Sequence, residues 1–214
     1  MALRPRSVIV IAFPGVQALD VVGPLEVFAM ASRCGADPAY ATALVSASGQ
    51  PVTTSSGLSL GTERASRRES IDTLLVAGGT GTAAAMADER LIAWLRTAAA
   101  SARRVTSVCS GAFLLAQAGL LDGRRVTTHW SACDTLARLF PAVEVDADPI
   151  YVRDGDVWTS AGVTAGMDLA LALVEHDHGG RAGAGRCPPT GAVHTSARWA
   201  VAVQRPVGRV AGRA

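Results

Sequence analysis

The sequence contains no lysine and no asparagine; all 20 of its basic residues are arginine. Both missing residues have A-rich codons, which points to a GC-rich gene and leaves a P-loop without its lysine. Hydrophobic residues reach 49% of the 214, yet no run approaches the roughly 18 apolar residues that span a bilayer. The N-terminal "MALRPRSVIVIAFPG" pairs arginines with an apolar run too short for a signal peptide, and no small-residue cleavage site follows it. It reads as a first buried strand of a cytoplasmic protein with no membrane partner. The four cysteines, Cys34, Cys109, Cys133 and Cys187, lie far apart, without the paired spacing of zinc or redox motifs. In a reducing compartment they read singly, as three ordinary thiols and one reactive one. No metal or other cofactor is implied. His176, Asp177 and His178 are consecutive, so on a helix they point in different directions and make a poor metal site.

Acidic residues are missing from the C-terminal segment. Residues 1–178 carry 14 Arg and all 18 acidic residues, a balance of −4, whereas residues 179–214 carry 6 Arg and no acid, a balance of +6. The segment also has seven glycines, a Pro-Pro and no sustained period. It reads as an irregular or disordered Arg/Gly-rich tail, or as the product of a frameshift in GC-rich DNA. Residues 1–178 read as one domain.

What is present there is an alternation of β-branched runs with Ala/Leu-rich helical patterns, the mark of a parallel α/β sheet. "SVIVIAF" suits a strand buried on both faces. Pro24 suggests a helix starting nearby and stopping at Gly35. "YATALVSAS", "DTLLVAGGTG", "RVTSV" and "VTTHW" read as strands. Helices are expected over "DERLIAWLRTAAASA", from Gly111 to Ala118, and near Ser131–Leu139. "PIYVRDGDVWTSAG" reads as a hairpin joined at Asp154-Gly155, and "GVTAGMDLALALVEHD" as a helix buried nearly all round.

Cys109 sits between a strand and a helix, followed by the small residues Ser110, Gly111 and Ala112. That pattern suits a nucleophile elbow, in which a tight turn lifts the side chain above the sheet. Backbone N–H groups and the helix dipole are expected to lower its pKa below the free value of about 8.5; the alternative is a buried structural thiol. The glycines of "AGGTG" let the Gly79 N–H pair with that of Ser110 as an oxyanion site, unless they form a plain turn. Asp20 can reach the same rim and handle protons, or cap a helix; Glu26 suits the exposed helix face. His129 is a further candidate base, though a lone histidine is more often structural.

Together "FPGVQALDVVGPLEVF", "DTLLVAGGTG", "SVCSGAFLLAQAGLLDGRRVTTHW" and "VWTSAGVTAGMDLALALVEHDHG" resemble the ThiJ/PfpI superfamily over residues 7–178. The resemblance implies a flavodoxin-like parallel sheet sandwiched by helices, of the class I glutamine amidotransferase-like kind, and commonly a homodimer. It is greatest to the N-terminal ligand-sensing domain of AraC-type regulators and to isonitrile hydratases. It implies Cys109 as the elbow cysteine, Asp20 as its acidic partner, Gly79 and Ser110 as flanking backbone positions, and His129 as a nearby histidine. Isonitrile hydratases carry Thr where this chain has Ser110, and the peptidase-like branch carries His there. The expectation is a small-molecule-sensing regulator domain without its DNA-binding half, and so without sequence-specific DNA binding of its own. The alternative is a cysteine-dependent enzyme of the isonitrile hydratase type, with Cys109 as nucleophile and Asp20 moving protons.

Overall fold

A computed structural model of the chain describes residues 4–66 and 70–179. The Arg/Gly-rich tail, apart from Gly179, lies outside the described residues. In chain order the elements are β1 (Arg6–Ile11), α1 (Ala18–Arg33), β2 (Tyr40–Ser46), β3 (Val52–Thr53), β4 (Ser59–Leu60), β5 (Glu63–Arg64) and β6 (Ile71–Val76). There follow α2 (Thr82–Met86), α3 (Glu89–Ala100), β7 (Ala102–Val108), α4 (Gly111–Gln117), β8 (Arg125–Val126) and α5 (Cys133–Leu139). β9 (Glu144–Val145), β10 (Tyr151–Asp154), β11 (Val157–Ser160) and α6 (Ala165–His178) complete the order.

Seven strands form the main sheet in the order β10-β11-β7-β6-β1-β2-β5, parallel throughout except for β10. The five long parallel neighbours, β2-β1-β6-β7-β11, give the flavodoxin-like order 2-1-3-4-5, whose switch point falls between β1 and β6. Val8, Ile9, Val10 and Ile11 are all essentially inaccessible, as a central strand covered on both faces requires. Helices α1 and α6 pack together, while α2, α3 and α4 form a second group.

Four local expectations are corrected. Helix α1 begins at Ala18, not near Pro24, so Asp20 lies in its first turn. The proline removes one internal helix bond, but its ring packs near Gly166 of α6, and Gly23 lies close to Met167. The strand at "VTTHW" shrinks to Arg125–Val126, because the Thr127 N–H turns to the Thr159 hydroxyl (2.8 Å). The hairpin closes one residue later: Asp154 pairs with Val157, and Gly155 and Asp156 make the turn. Cys34 is disulfide-bonded rather than an ordinary thiol; Cys109 and Cys133 are free.

At the amino end of the sheet a buried ion cluster ties α6 to three strands. Arg104, 3% exposed, forms a two-pronged pair with Asp177, 1% exposed (2.9 and 2.7 Å), and its Nε donates to the Thr73 hydroxyl. Asp177 also accepts from Arg103 (2.7 Å) and from the Tyr40 hydroxyl (2.9 Å). Burial alone would raise the Asp177 carboxyl, but hydrogen bonds and charge from Arg104 and Arg103 hold it below the ordinary carboxylate value. Removing one member leaves its partner charged in a dry site. Asp177→Ala is therefore expected to cost about 3–5 kcal/mol of unfolding free energy, read from urea denaturation. A cost below about 1 kcal/mol would place the cluster among ordinary surface pairs.

Candidate functional site

Strand β7 ends at Val108, and Cys109 turns the chain into α4 with φ 56°, a left-handed conformation for a non-glycine residue. Such a conformation costs of order 1–3 kcal/mol and persists only where its surroundings enforce it. Here they do. The Cys109 N–H donates to Ser160 O (3.0 Å), and its carbonyl accepts from the Thr128 hydroxyl (2.7 Å). Two glycines leave room for the turn. A Cβ on Gly162, itself at φ +113°, would sit 2.8 Å from the Cys109 sulfur. A Cβ on Gly78 would sit 2.5 Å from the Ser110 nitrogen. The elbow expected from the sequence is present, with a half-buried thiol at its tip.

Asp20 is completely buried and binds two loops at once. Its Oδ2 accepts from the Gly78 N–H (3.2 Å) after β6, and its Oδ1 from the Val163 N–H (3.0 Å) after β11. Val163 adopts φ 54°, and it and Cys109 are the two non-glycine residues with positive φ among the described residues. A β-branched side chain resists that conformation, so a second piece of strain serves to aim an N–H at Asp20. The carboxylate also hydrogen-bonds the Cys109 thiol. Asp20 thus joins the loops following β6, β7 and β11 from the first turn after β1.

The electrostatics reverse one expectation. Burial pushes the Cys109 thiol up to about 12, and the charge of Asp20 adds to the effect; the Ser110 N–H and hydroxyl act in the other direction but are outweighed. Sequence alone suggested a lowered pKa, because it displayed the elbow and helix start but not the buried carboxylate. Asp20 is raised to about 6, chiefly by burial, with the Val163, Gly78 and Cys109 hydrogen bonds opposing. Burial raises both groups, so near neutral pH the coupled pair holds one proton between sulfur and carboxylate.

Gly79 also differs from expectation as an oxyanion donor. Its N–H donates to Ser110 Oγ (3.0 Å), Ser110 Oγ lies 2.8 Å from Thr82 Oγ1, and the Thr82 hydroxyl donates to Gly79 O (2.8 Å). With Ser110 donating to Thr82, these three groups close a ring that fixes the serine hydroxyl. The donor left to face the sulfur is the Ser110 N–H.

His129 is not hydrogen-bonded to Cys109. Its Nδ1 lies 2.8 Å from Ser131 Oγ, its ring packs beside Trp130, and burial lowers its pKa. Its neighbour Thr128 makes the contact to the elbow instead. Glu26 is exposed and pairs with Arg33 (3.6 Å). Gly78, Thr82, Thr128 and Val163 were not singled out from the sequence. Only the run of glycines around Gly78 carried a signal, and it pointed one residue too far. Among the described residues no group of three or more His, Cys, Asp or Glu side chains is arranged to hold a metal ion, and no helix is long and apolar enough to cross a membrane.

Comparison with known proteins matches residues 6–176 to the model of the DJ-1/PfpI family. The chain is 42% identical over 164 residues to the isonitrile hydratase of Pseudomonas putida, covering 76% of this chain and 68% of that protein. It is 35% identical over 167 residues to the HTH-type transcriptional regulator CdhR of Pseudomonas aeruginosa, covering 78% of this chain. It spans only about half, 49%, of that regulator's length. A crystal structure of a ThiJ/PfpI family protein from Pseudomonas syringae superposes with a TM-score of 0.74 at 32% identity, covering 87% of this chain and 78% of that one.

The burial of Asp20 has a measurable cost. Its folded-state pKa lies above the unfolded value, so the folded protein binds the extra proton between about pH 4 and pH 6. Stability from this group is greatest below that window and falls as pH rises through it. The stability of the wild type relative to Asp20→Asn should therefore drop by about 3 kcal/mol between pH 4 and pH 7. Paired denaturation curves measure this, and a flat difference would mean that Asp20 titrates normally.

Proposed function

The chain belongs to the DJ-1/PfpI family, and we propose that its Cys109 centre adds water to a small electrophilic carbon, in the manner of isonitrile hydration. The observation that carries this reading is the buried pair itself: a thiol on a strained elbow, hydrogen-bonded to a carboxylate raised to about 6. A base with that pKa is largely ionised at neutral pH yet able to return a proton, as general acid–base catalysis requires.

The steps balance as follows. Cys109 sulfur attacks the terminal carbon of R–N≡C while Asp20 takes the thiol proton and passes it to that carbon, giving the thioimidate R–N=CH–S–Cys109. A water molecule adds to the same carbon, with Asp20 taking one of its protons. The nitrogen is protonated, the C–S bond breaks, and sulfur recovers a proton. The product is the N-substituted formamide R–NH–CHO. Because the thiol resists ionisation, proton removal accompanies attack. The Ser110 N–H steadies the charge that develops at sulfur, at the residue where the resemblance to hydratases implies Thr. Water and this chain's own side chains suffice for every step.

A second reading has support of its own. The similarity to the regulator CdhR and the protonated resting thiol both suit a cytoplasmic, homodimeric domain that binds a small molecule without turning it over. In that reading, DNA binding belongs to sequence beyond the region shared with the regulators.

Incubation with an alkyl isonitrile separates the two. The wild type should release formamide, Cys109→Ala should release none, and Asp20→Asn should retain no more than about one part in a hundred of the rate. The wild-type rate should fall as pH drops through about 6, because protonated Asp20 cannot accept the thiol proton. Formamide formation by Cys109→Ala would overturn the nucleophile assignment. Binding without turnover by the wild type would favour the sensor.

A further inference from the structure

Strand β7 runs away from Cys109 for about 20 Å to a cavity at the amino end of the sheet, and we propose that this cavity binds the phosphate or carboxylate group of a small molecule. It has a volume of about 190 Å³ and is lined by Arg103, Arg104, Arg153, Trp158 and His176, with Gly155 and Asp156 at the hairpin turn. Its guanidinium groups are held in place before any ligand arrives. Arg103 uses Nε and Nη2 on Asp72 (both 2.8 Å) and Nη2 again on Asp177, leaving Nη1 without a hydrogen bond to the described residues. Arg153 lies 4.8 Å over the Trp158 ring and uses only Nε, on Gly155 O (3.3 Å). Both of its terminal nitrogens are without a partner among the described residues. Arg104 is fully engaged by Thr73 and Asp177, and His176 stands edge-on to the Trp158 indole, 5.5 Å between centroids.

An oxyanion matches what this cavity offers. The Asp72 and Asp177 carboxylates bind Arg103 through Nε and Nη2 and leave its Nη1 free, while the Trp158 ring and the Gly155 carbonyl hold Arg153, which lowers the ordering cost of these two long side chains. Asp156, the acid on the lining, is itself paired with Arg124 (3.3 Å). Fixed guanidinium donors are well suited to phosphate and carboxylate oxygens. Trp158 adds an apolar edge to the lining beside the arginines. Because the cavity lies at the opposite end of the sheet from Cys109, occupancy does not depend on the thiol.

The test uses the full chain, titrated separately with inorganic phosphate and with acetate at constant ionic strength, and follows the Trp158 indole N–H by nuclear magnetic resonance. Saturable shifts with at least one probe are expected, and the tighter probe identifies the head group. Arg153 is exposed, so Arg153→Gln should fold normally and weaken binding by about tenfold or more, while Cys109→Ala should bind as the wild type. No saturable shift with either probe would overturn the proposal, as would unchanged binding in a folded Arg153→Gln protein.

Discussion

The site depends on one buried carboxylate. Asp20 receives an N–H from Gly78, an N–H from Val163 and the Cys109 thiol, so three loops from three strands converge on a single side chain. Burying that charge raises its pKa to about 6 and destabilises the fold near neutral pH. The left-handed turns at Cys109 and Val163 add strain around the same group. Strain and desolvation gathered at one point, inside a sheet that is otherwise regularly packed, mark a place where the fold gives up stability for something other than stability.

Strand β7 couples two ends of different character. At its amino end Arg104 and Asp177 are almost wholly enclosed and mutually neutralised, which secures the last turn of α6 against the sheet. At its carboxyl end the same strand delivers Cys109 to the rim beside the switch point of the sheet. The first end makes the second possible: with α6 fastened at Asp177 and packed on α1, the loop carrying Gly162 and Val163 is held against the elbow.

Much of this was legible in the sequence. The parallel sheet followed from β-branched runs alternating with helical patterns, and the elbow followed from Cys109 standing before three small residues. Asp20 was placed at the rim, but Pro24 obscured the true start of α1, because a proline six residues into a helix reads like a first-turn marker. The raised thiol was not legible, since it arises from burial and from a carboxylate 89 positions away in the chain. The ring joining Gly79, Ser110 and Thr82 was equally hidden: hydroxyl groups carry no spacing signal until folding brings them within reach. His129 attracted notice as a titratable residue, whereas the contact to the elbow comes from the unremarked Thr128 beside it.

The account turns on where the shared proton resides, and the ultraviolet absorbance of thiolate reads this directly. A pH titration of the wild type, with Cys109→Ala subtracted, should show no thiolate from Cys109 between pH 6 and pH 9, because burial and Asp20 hold the thiol up to about 12. A Cys109 thiolate already formed at pH 7 would contradict it, since the proton would then sit on Asp20 and the carboxylate would be the acid of the pair, not its base.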